Sequence, residues 1–219
     1  MGESKSVAKQ LIRGPYQNGI RRRRKIIESA SRIFACEGFN SGTLRQIAKE
    51  VGVTPAALAR HFENKEGLLA AVLDNWDHEA RTRNPGDVQG LAFFFRLRDA
   101  VIHNQANRGL IELFLTLAGE STNPAHPARD FIQDRYRWIV QHGSQLLREA
   151  RDAGETVWMS DATIEAEIRT LYATMDGVQL QWLVDPDVDL VGVFSHALST
   201  TLERWTGRKD YVPPISSQA

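Results

Sequence analysis

The chain has 219 residues, 42% of them hydrophobic and 25% charged, with 27 basic and 27 acidic side chains. That length allows one large or two small domains with real cores, and the composition is ordinary for a globular protein. No apolar run approaches the ~20 residues that span a bilayer, and the polar N-terminus lacks a signal-peptide pattern. A cytoplasmic location without membrane association is expected. The net charge of zero hides a split: residues 1–65 hold 13 basic and 5 acidic side chains, whereas 66–219 hold 14 and 22. A basic head on an acidic body is the footprint of a phosphate-bearing partner.

Residues 1–21 read as a flexible basic arm, with Lys5, Lys9, Arg13, a Gly14-Pro15 break and a cluster entering at Arg21-Arg22-Arg23-Arg24-Lys25. Arms of this kind reach minor grooves, where Arg reads groove width. A first helix is predicted over about 22–38, with Ile26, Ile27, Ala30, Ile33 and Phe34 as its buried stripe. The single Cys36 has no disulfide partner within the chain and is expected as a buried structural thiol.

The next stretch is the most informative. Thr43 serves as an N-cap, with Gln46 three residues on completing a capping box. Leu44, Ile47, Ala48 and Val51 form one apolar face of a short helix. Gly52 suits a left-handed C-terminal position, Val53 fills the angle, Thr54 caps again and Pro55 fits a first helical position. On the second helix Leu58 and Phe62 turn inward, leaving Ala56, Ala57, Ala59, Arg60 and His61 outward. Asn64 caps a further helix from Lys65 to about Thr82. This is a helix-turn-helix, the unit that lays a recognition helix in the DNA major groove.

Asn84-Pro85-Gly86 then breaks the chain, separating a DNA-binding domain at 22–83 from a body at 84–207. Five more helices are predicted at about 87–104, 108–121, 127–153, 161–184 and 188–206, and the tail 208–219 is expected to be disordered. The fold class is all-α with about nine helices.

The stretch from Arg22 to about Leu73 resembles the N-terminal domain of the TetR family of bacterial transcriptional repressors. The likeness rests on Phe34 to Phe39, on Thr43, Ile47-Ala48 and Gly52-Val53, and on Leu58, His61-Phe62 and Lys65. One departure is Ala59, where the family usually has a phosphate-contacting tyrosine; another is Ala56 in place of a common Gly. The expected DNA-binding set is Thr43, Arg45, Thr54, Pro55, Ala56, Ala57, Ala59, Arg60, His61 and Lys65. Arg45, Thr54, Ala56, Ala57 and Arg60 are assigned to base edges, and Thr43, His61 and Lys65 to phosphates.

The resemblance also implies dimerisation through the last two long helices and a pocket for a small effector. Both helices carry more apolar surface than one face needs, and Gly177, Gly192, Ser195 and Ala197 would allow close approach in a homodimer. Trp76, Phe94, Phe114, Tyr136, His142, Met175, Gln179 and Trp182 are the candidate pocket residues, with His103, Glu120 and Asp176 as further polar candidates. An apolar or aromatic small-molecule effector is expected. The resulting expectation is a repressor released from a palindromic operator in double-stranded DNA; an activator, or a regulator answering to a protein partner, is the alternative. No Gly-rich phosphate loop, metal-ligand spacing or nucleophile elbow is present, so no enzymatic activity, metal or cofactor is expected.

Overall fold

The structure, a computed structural model, describes the backbone of residues 4–83 and 90–211 and the side chains of 19–39, 41–76 and 90–211. The Asn84-Pro85-Gly86 break and the tail beyond Tyr211 therefore lie outside the described residues. Ten helical segments and no strand are found among the described residues, one of the ten being a single four-residue turn. They divide into two compact units, Met1–Trp76 and Asp77–Ala219.

In the first unit α1 spans Ser4–Ser41, interrupted at Gly38 by non-helical backbone (φ 79°, ψ 157°). The segment expected as a flexible arm is thus helical from Ser4 and does not end at Gly14-Pro15. Lys, Ala, Gln, Leu, Ile and Arg dominate residues 5–13, and all but Ile are among the strongest helix formers. Then come α2 (Leu44–Val51), α3 (Pro55–Phe62) and α4 (Lys65–Arg83), of which the residues up to Trp76 belong to this unit. The predicted stripes meet in one core: Ile26, Ala30 and Phe34 of α1, Ile47 and Ala48 of α2, Leu58 and Phe62 of α3, and Leu68, Leu69 and Val72 of α4 are all buried. Fully burying one such large side chain contributes roughly 1.5–3 kcal/mol.

Cys36 is exposed, not buried. Two residues beyond Phe34 turn the helix by roughly 200°, so the thiol points away from the stripe that Phe34 closes.

The second unit holds α5 (Ala92–Phe95), α6 (Leu97–Ala106), α7 (Arg108–Glu120), α8 (Arg129–Asp152), α9 (Asp161–Val184) and α10 (Leu190–Thr206). Local signals set the ends. Ser160 accepts from the Thr163 N–H at 3.1 Å and Asp189 from Gly192 at 2.9 Å, while Gly207 closes α10 with φ 68°. Phe94, Leu147, Ile164, Ile168, Phe194 and Trp205 are central in its core. The Trp205 indole donates to Glu167 at 2.9 Å. A carboxylate that burial alone would push up is held below its ordinary range by hydrogen bonds from Arg204 and Trp205.

A candidate DNA-reading face and a buried polar cluster

The helix-turn-helix is built by caps. Thr43 Oγ1 accepts from the Gln46 N–H at 3.3 Å. The Gln46 side chain does not complete the reciprocal half of the expected capping box: its carbonyl oxygen accepts from the Thr43 hydroxyl at 3.5 Å, and its amide N–H donates to Glu37 on α1 at 2.5 Å. At the far end Gly52 is left-handed (φ 71°, ψ 38°); its N–H reaches the Lys49 carbonyl and that of Val53 reaches Ala48. This paired arrangement is a Schellman motif, which satisfies two orphan carbonyls and turns the chain. Thr54 then accepts from the Ala57 N–H at 3.1 Å with Pro55 in the first turn.

The exit from α3 is tighter. The Asn64 N–H reaches the Phe62 carbonyl at 2.6 Å across Glu63, whose φ of 60° and ψ of −61° define a γ-turn of the rare positive-φ kind. Asn64 Oδ1 accepts from the Gly67 N–H at 2.7 Å and starts α4. A Cβ at Gly67 would lie 2.2 Å from the Phe62 carbonyl oxygen, so only glycine fits beneath this turn.

These constraints hold Leu58 and Phe62 in the core and leave Thr54, Pro55, Ala56, Arg60 and His61 exposed on α3, with Ala57 and Ala59 half-buried beside them. Thr43 and Arg45 are exposed at the start of α2. Among the described residues Arg45 and Arg60 enter no ion pair and no side-chain hydrogen bond. Lys65 is half-buried, its ammonium 4.6 Å from the Phe39 ring centre. Arg23 lies 5.2 Å from the Phe62 ring centre and Arg32 pairs with Glu50, so α1 braces both helices of the motif.

In the second unit Phe114 and Tyr136 come together with Asp176. The Tyr136 hydroxyl donates to Asp176 Oδ2 at 2.7 Å, and the Phe114 and Tyr136 ring centres are 6.2 Å apart. Arg135 and Tyr172 join them, though sequence reasoning did not single them out as site residues. The Arg135 guanidinium lies 5.0 Å from the Phe114 ring centre. Burial pulls it down to about 10, against the raising field of Asp176. Burial likewise pushes the Tyr136 and Tyr172 phenols up, and it pushes the Asp176 carboxyl above its ordinary value despite the Tyr136 hydrogen bond and the Arg135 charge. Gln179, on the same helix as Asp176, is 2% exposed. Arg108 on α7 lies 4.7 Å from the Trp182 ring centre and donates to the carbonyls of Trp182 and Leu183.

Other expected pocket residues have contacts of their own, with Phe94, Met175 and Trp182 sharing one core. His142 stacks on Trp138 (4.9 Å) and meets Phe93 edge-on (5.4 Å), while Phe94 packs on Trp205 (4.9 Å). Met175 is buried in the core beside Asp176, and Trp76 belongs to the first unit. Of the further polar candidates, His103 is engaged by Asn107 and Glu120 reaches His126 at 3.2 Å. A signal for Arg135 was present: it stands three residues after Ile132 and four before Ile139, both buried, and so occupies an inward position of α8.

A capped helix-turn-helix with free arginines at its outer face, accompanied by a separate helical unit, defines a helix-turn-helix DNA-binding regulator. The family model described as bacterial regulatory proteins, tetR family, matches residues 26–72. Over 210 residues the chain is 29% identical to the transcriptional regulator TtgR of Pseudomonas putida, covering 88% of this chain and 95% of that protein. The solved structure of SmeT, the repressor of the Stenotrophomonas maltophilia multidrug efflux pump SmeDEF, superposes with a TM-score of 0.67 at 26% identity, covering 88% of this chain and 94% of SmeT. A complex of SmeT with triclosan superposes with a TM-score of 0.67 at 23% identity, covering 89% and 96%. Residues 26–72 thus match the DNA-binding domain of the tetR family of bacterial regulatory proteins, and the chain along most of its length is similar to regulators of that kind.

Proposed function

We propose that this regulator is a repressor that binds a palindromic operator as a homodimer and is released by a small-molecule effector held in the second unit. In this reading residues 22–83 are the DNA-binding domain, 84–207 the effector-binding and dimerisation domain, and the protein works in the cytoplasm. Among the described residues no helix is long and apolar enough to cross a membrane. Arg45, Thr54, Ala56, Ala57 and Arg60 read base edges; Thr43, His61 and Lys65 hold phosphates.

The observation that carries the effector reading is the half-buried cluster of Arg135, Tyr136 and Asp176 beside the aromatic ring of Phe114. A unit that only joined two copies would gain nothing from drawing charged and phenolic groups in among aromatics, which is the make-up of a ligand site. SmeT and its triclosan complex are in keeping with it.

Support for the dimer comes from a face that the monomer leaves uncovered. Leu180 and Val184 on α9 and Val193 on α10 are exposed large apolar side chains, Val184 at 79%. A Cβ at Gly177 on the same helix would meet nothing. Two copies meeting along α9 and α10 bury this face and present two recognition helices to half-sites ~34–36 Å apart or a multiple of it. A ligand that prefers the DNA-incompetent setting shifts the population away from the operator; a coupling of ~1–3 kcal/mol weakens DNA binding roughly 5- to 150-fold.

Fluorescence anisotropy on a labelled duplex chosen by selection from random sequences, at fixed salt, tests this directly. A compound that binds the protein and releases the duplex is the expected result. Compounds that bind the second unit yet leave DNA affinity unchanged would refute release by an effector.

A further inference from the structure

The homodimer proposed above needs a register, and α9 carries the residues that set one. Its outward face is a line spaced by three or four residues, Ala162, Ala166, Arg169, Ala173 and Gly177, which ends in Leu180 and Val184. The last two are 53% and 79% exposed. At the other end Trp158 stands four residues ahead of Ala162 and is 81% exposed. The strap that carries it is fixed on both sides. The Val157 N–H donates to the Trp205 carbonyl at 2.7 Å, and Met159 is buried, its own carbonyl held by Arg151 at 2.9 Å. A large aromatic ring is thus presented to solvent by backbone that is tied down.

Bulky apolar side chains therefore sit at the two ends of this line, with small ones between them. Two such lines match when they run antiparallel about a two-fold axis at the level of Leu171. Trp158 then meets Val184 of the partner subunit, Ala162 meets the partner's Leu180, and Arg169 meets the partner's Ala173. Ala166 falls within one position of the partner's Gly177, at a place where an added Cβ meets nothing in the single chain. A parallel pairing instead sets Arg169 against its own copy. It also sets Asp185, Asp187 and Asp189, all exposed in the α9–α10 connection, against theirs, and like charges juxtaposed across an interface are disfavoured. The antiparallel pairing keeps the two acidic connections roughly 40 Å apart. With α10 alongside, helix lengths and diameters give a face of roughly 650 Å² per copy, or about 1,300 Å² in all, within the ~1,200–2,000 Å² of a stable interface.

We propose that a second copy of this chain docks on the α9–α10 face in antiparallel register about Leu171, anchored at both ends by Trp158. Each indole covers the apolar end of the other subunit's α9, formed by Leu180 and Val184. This inference rests on the homodimer reading above and adds its register and its anchor. Tryptophan is among the residue types most enriched at the points that carry binding energy in an interface, and the two-fold axis uses this one twice.

The test uses the full chain, with sedimentation velocity for the association constant and pulsed electron-spin resonance for distances. Cys36→Ser removes the native thiol, and Thr163→Cys or Gln181→Cys, both at exposed positions of α9, carries a nitroxide. The antiparallel register predicts separations between the two copies of about 25 Å at position 163 and about 30 Å at position 181. A parallel pairing gives short, nearly equal separations of about 10 Å at both. Trp158→Ala, at a side chain exposed in the single chain, is expected to raise the dimer dissociation constant at least tenfold with its circular dichroism unchanged. Short, equal separations, or a Trp158→Ala dimer as tight as the wild type, would overturn the register and its anchor and leave the homodimer standing. A wild-type chain that stays monomeric at tens of micromolar would overturn both.

Discussion

The Tyr136 hydroxyl donates to Asp176 Oδ2 at 2.7 Å, tying α8 to α9 inside the second unit. The bond favours the carboxylate, yet burial outweighs it and holds Asp176 above its ordinary value of 3.8. A carboxyl raised in the fold binds its proton more readily folded than unfolded. Its contribution to stability is therefore fully present below the unfolded value and is lost as pH rises through the folded one. Ionisation of Asp176 therefore weakens the unit. Asp176→Asn should raise the melting temperature at pH 7, and the gap to the wild type should close as pH falls toward 3.8. Calorimetric melts from pH 3.5 to 8 read this directly; an unchanged gap across that range would mean that ionised Asp176 is not under strain.

Gly67→Ala should destabilise the DNA-binding unit. The added methyl would lie 2.2 Å from the Phe62 carbonyl oxygen, a backbone atom already committed to the Asn64 N–H. Overpacking of this kind costs about 1–3 kcal/mol, or roughly 4–8 °C of melting temperature per kcal/mol in a unit of this size. Glu66→Ala, one residue away and exposed, is the control and should change little.

Lys65 and Arg60 should fail differently. Lys65→Ala is expected to weaken specific and random DNA alike, lowering the slope of log affinity against log salt by about 0.9. It should also lower stability by about 0.5–1 kcal/mol through loss of the contact with the Phe39 ring. Arg60→Ala should instead relax discrimination at one base pair by about 1–3 kcal/mol. Anisotropy titrations over a salt series separate the two. Identical losses on specific and random DNA for both variants would remove the division between base-reading and phosphate-holding residues.

Cys36 should be reactive in the native state. It is exposed on α1, so a thiol reagent such as a disulfide dye should modify one equivalent per chain without denaturant. Protection until the protein unfolds would show that the thiol is covered.

The sequence was most legible where structure is set locally. Thr43, Gly52, Thr54 and Asn64 each act within three or four residues of themselves, and every turn of the motif follows from them. Likewise α9 begins at its Ser160 cap and ends before Asp185-Pro186, the span its apolar period indicated. Legibility falls where a side chain's partner lies far along the chain. Gln46 is shared between two helices, its carbonyl oxygen taken by the Thr43 hydroxyl and its amide N–H by Glu37 of α1, and only the local half of this could be read from spacing. Arg135 reads as a surface residue until Ile132 and Ile139 fix its register and Asp176, 41 positions away, supplies a counter-charge. The grouping of aromatics was equally hidden: Tyr136 and His142 lie on one helix, yet Tyr136 meets Phe114 of α7 while His142 meets Trp138 and Phe93. Cys36 was misread for a simpler reason: nearness in sequence to Phe34 and Phe39 was taken for nearness in space.

Sequence-specific reading of DNA by α3 is the centre of this account, and selection of bound duplexes from a random pool at fixed, stated salt tests it most directly. The account predicts a palindromic motif whose half-sites are spaced by about one helical turn or a multiple of it. Folded protein that enriches no sequence, or enriches one without two-fold symmetry, would contradict it.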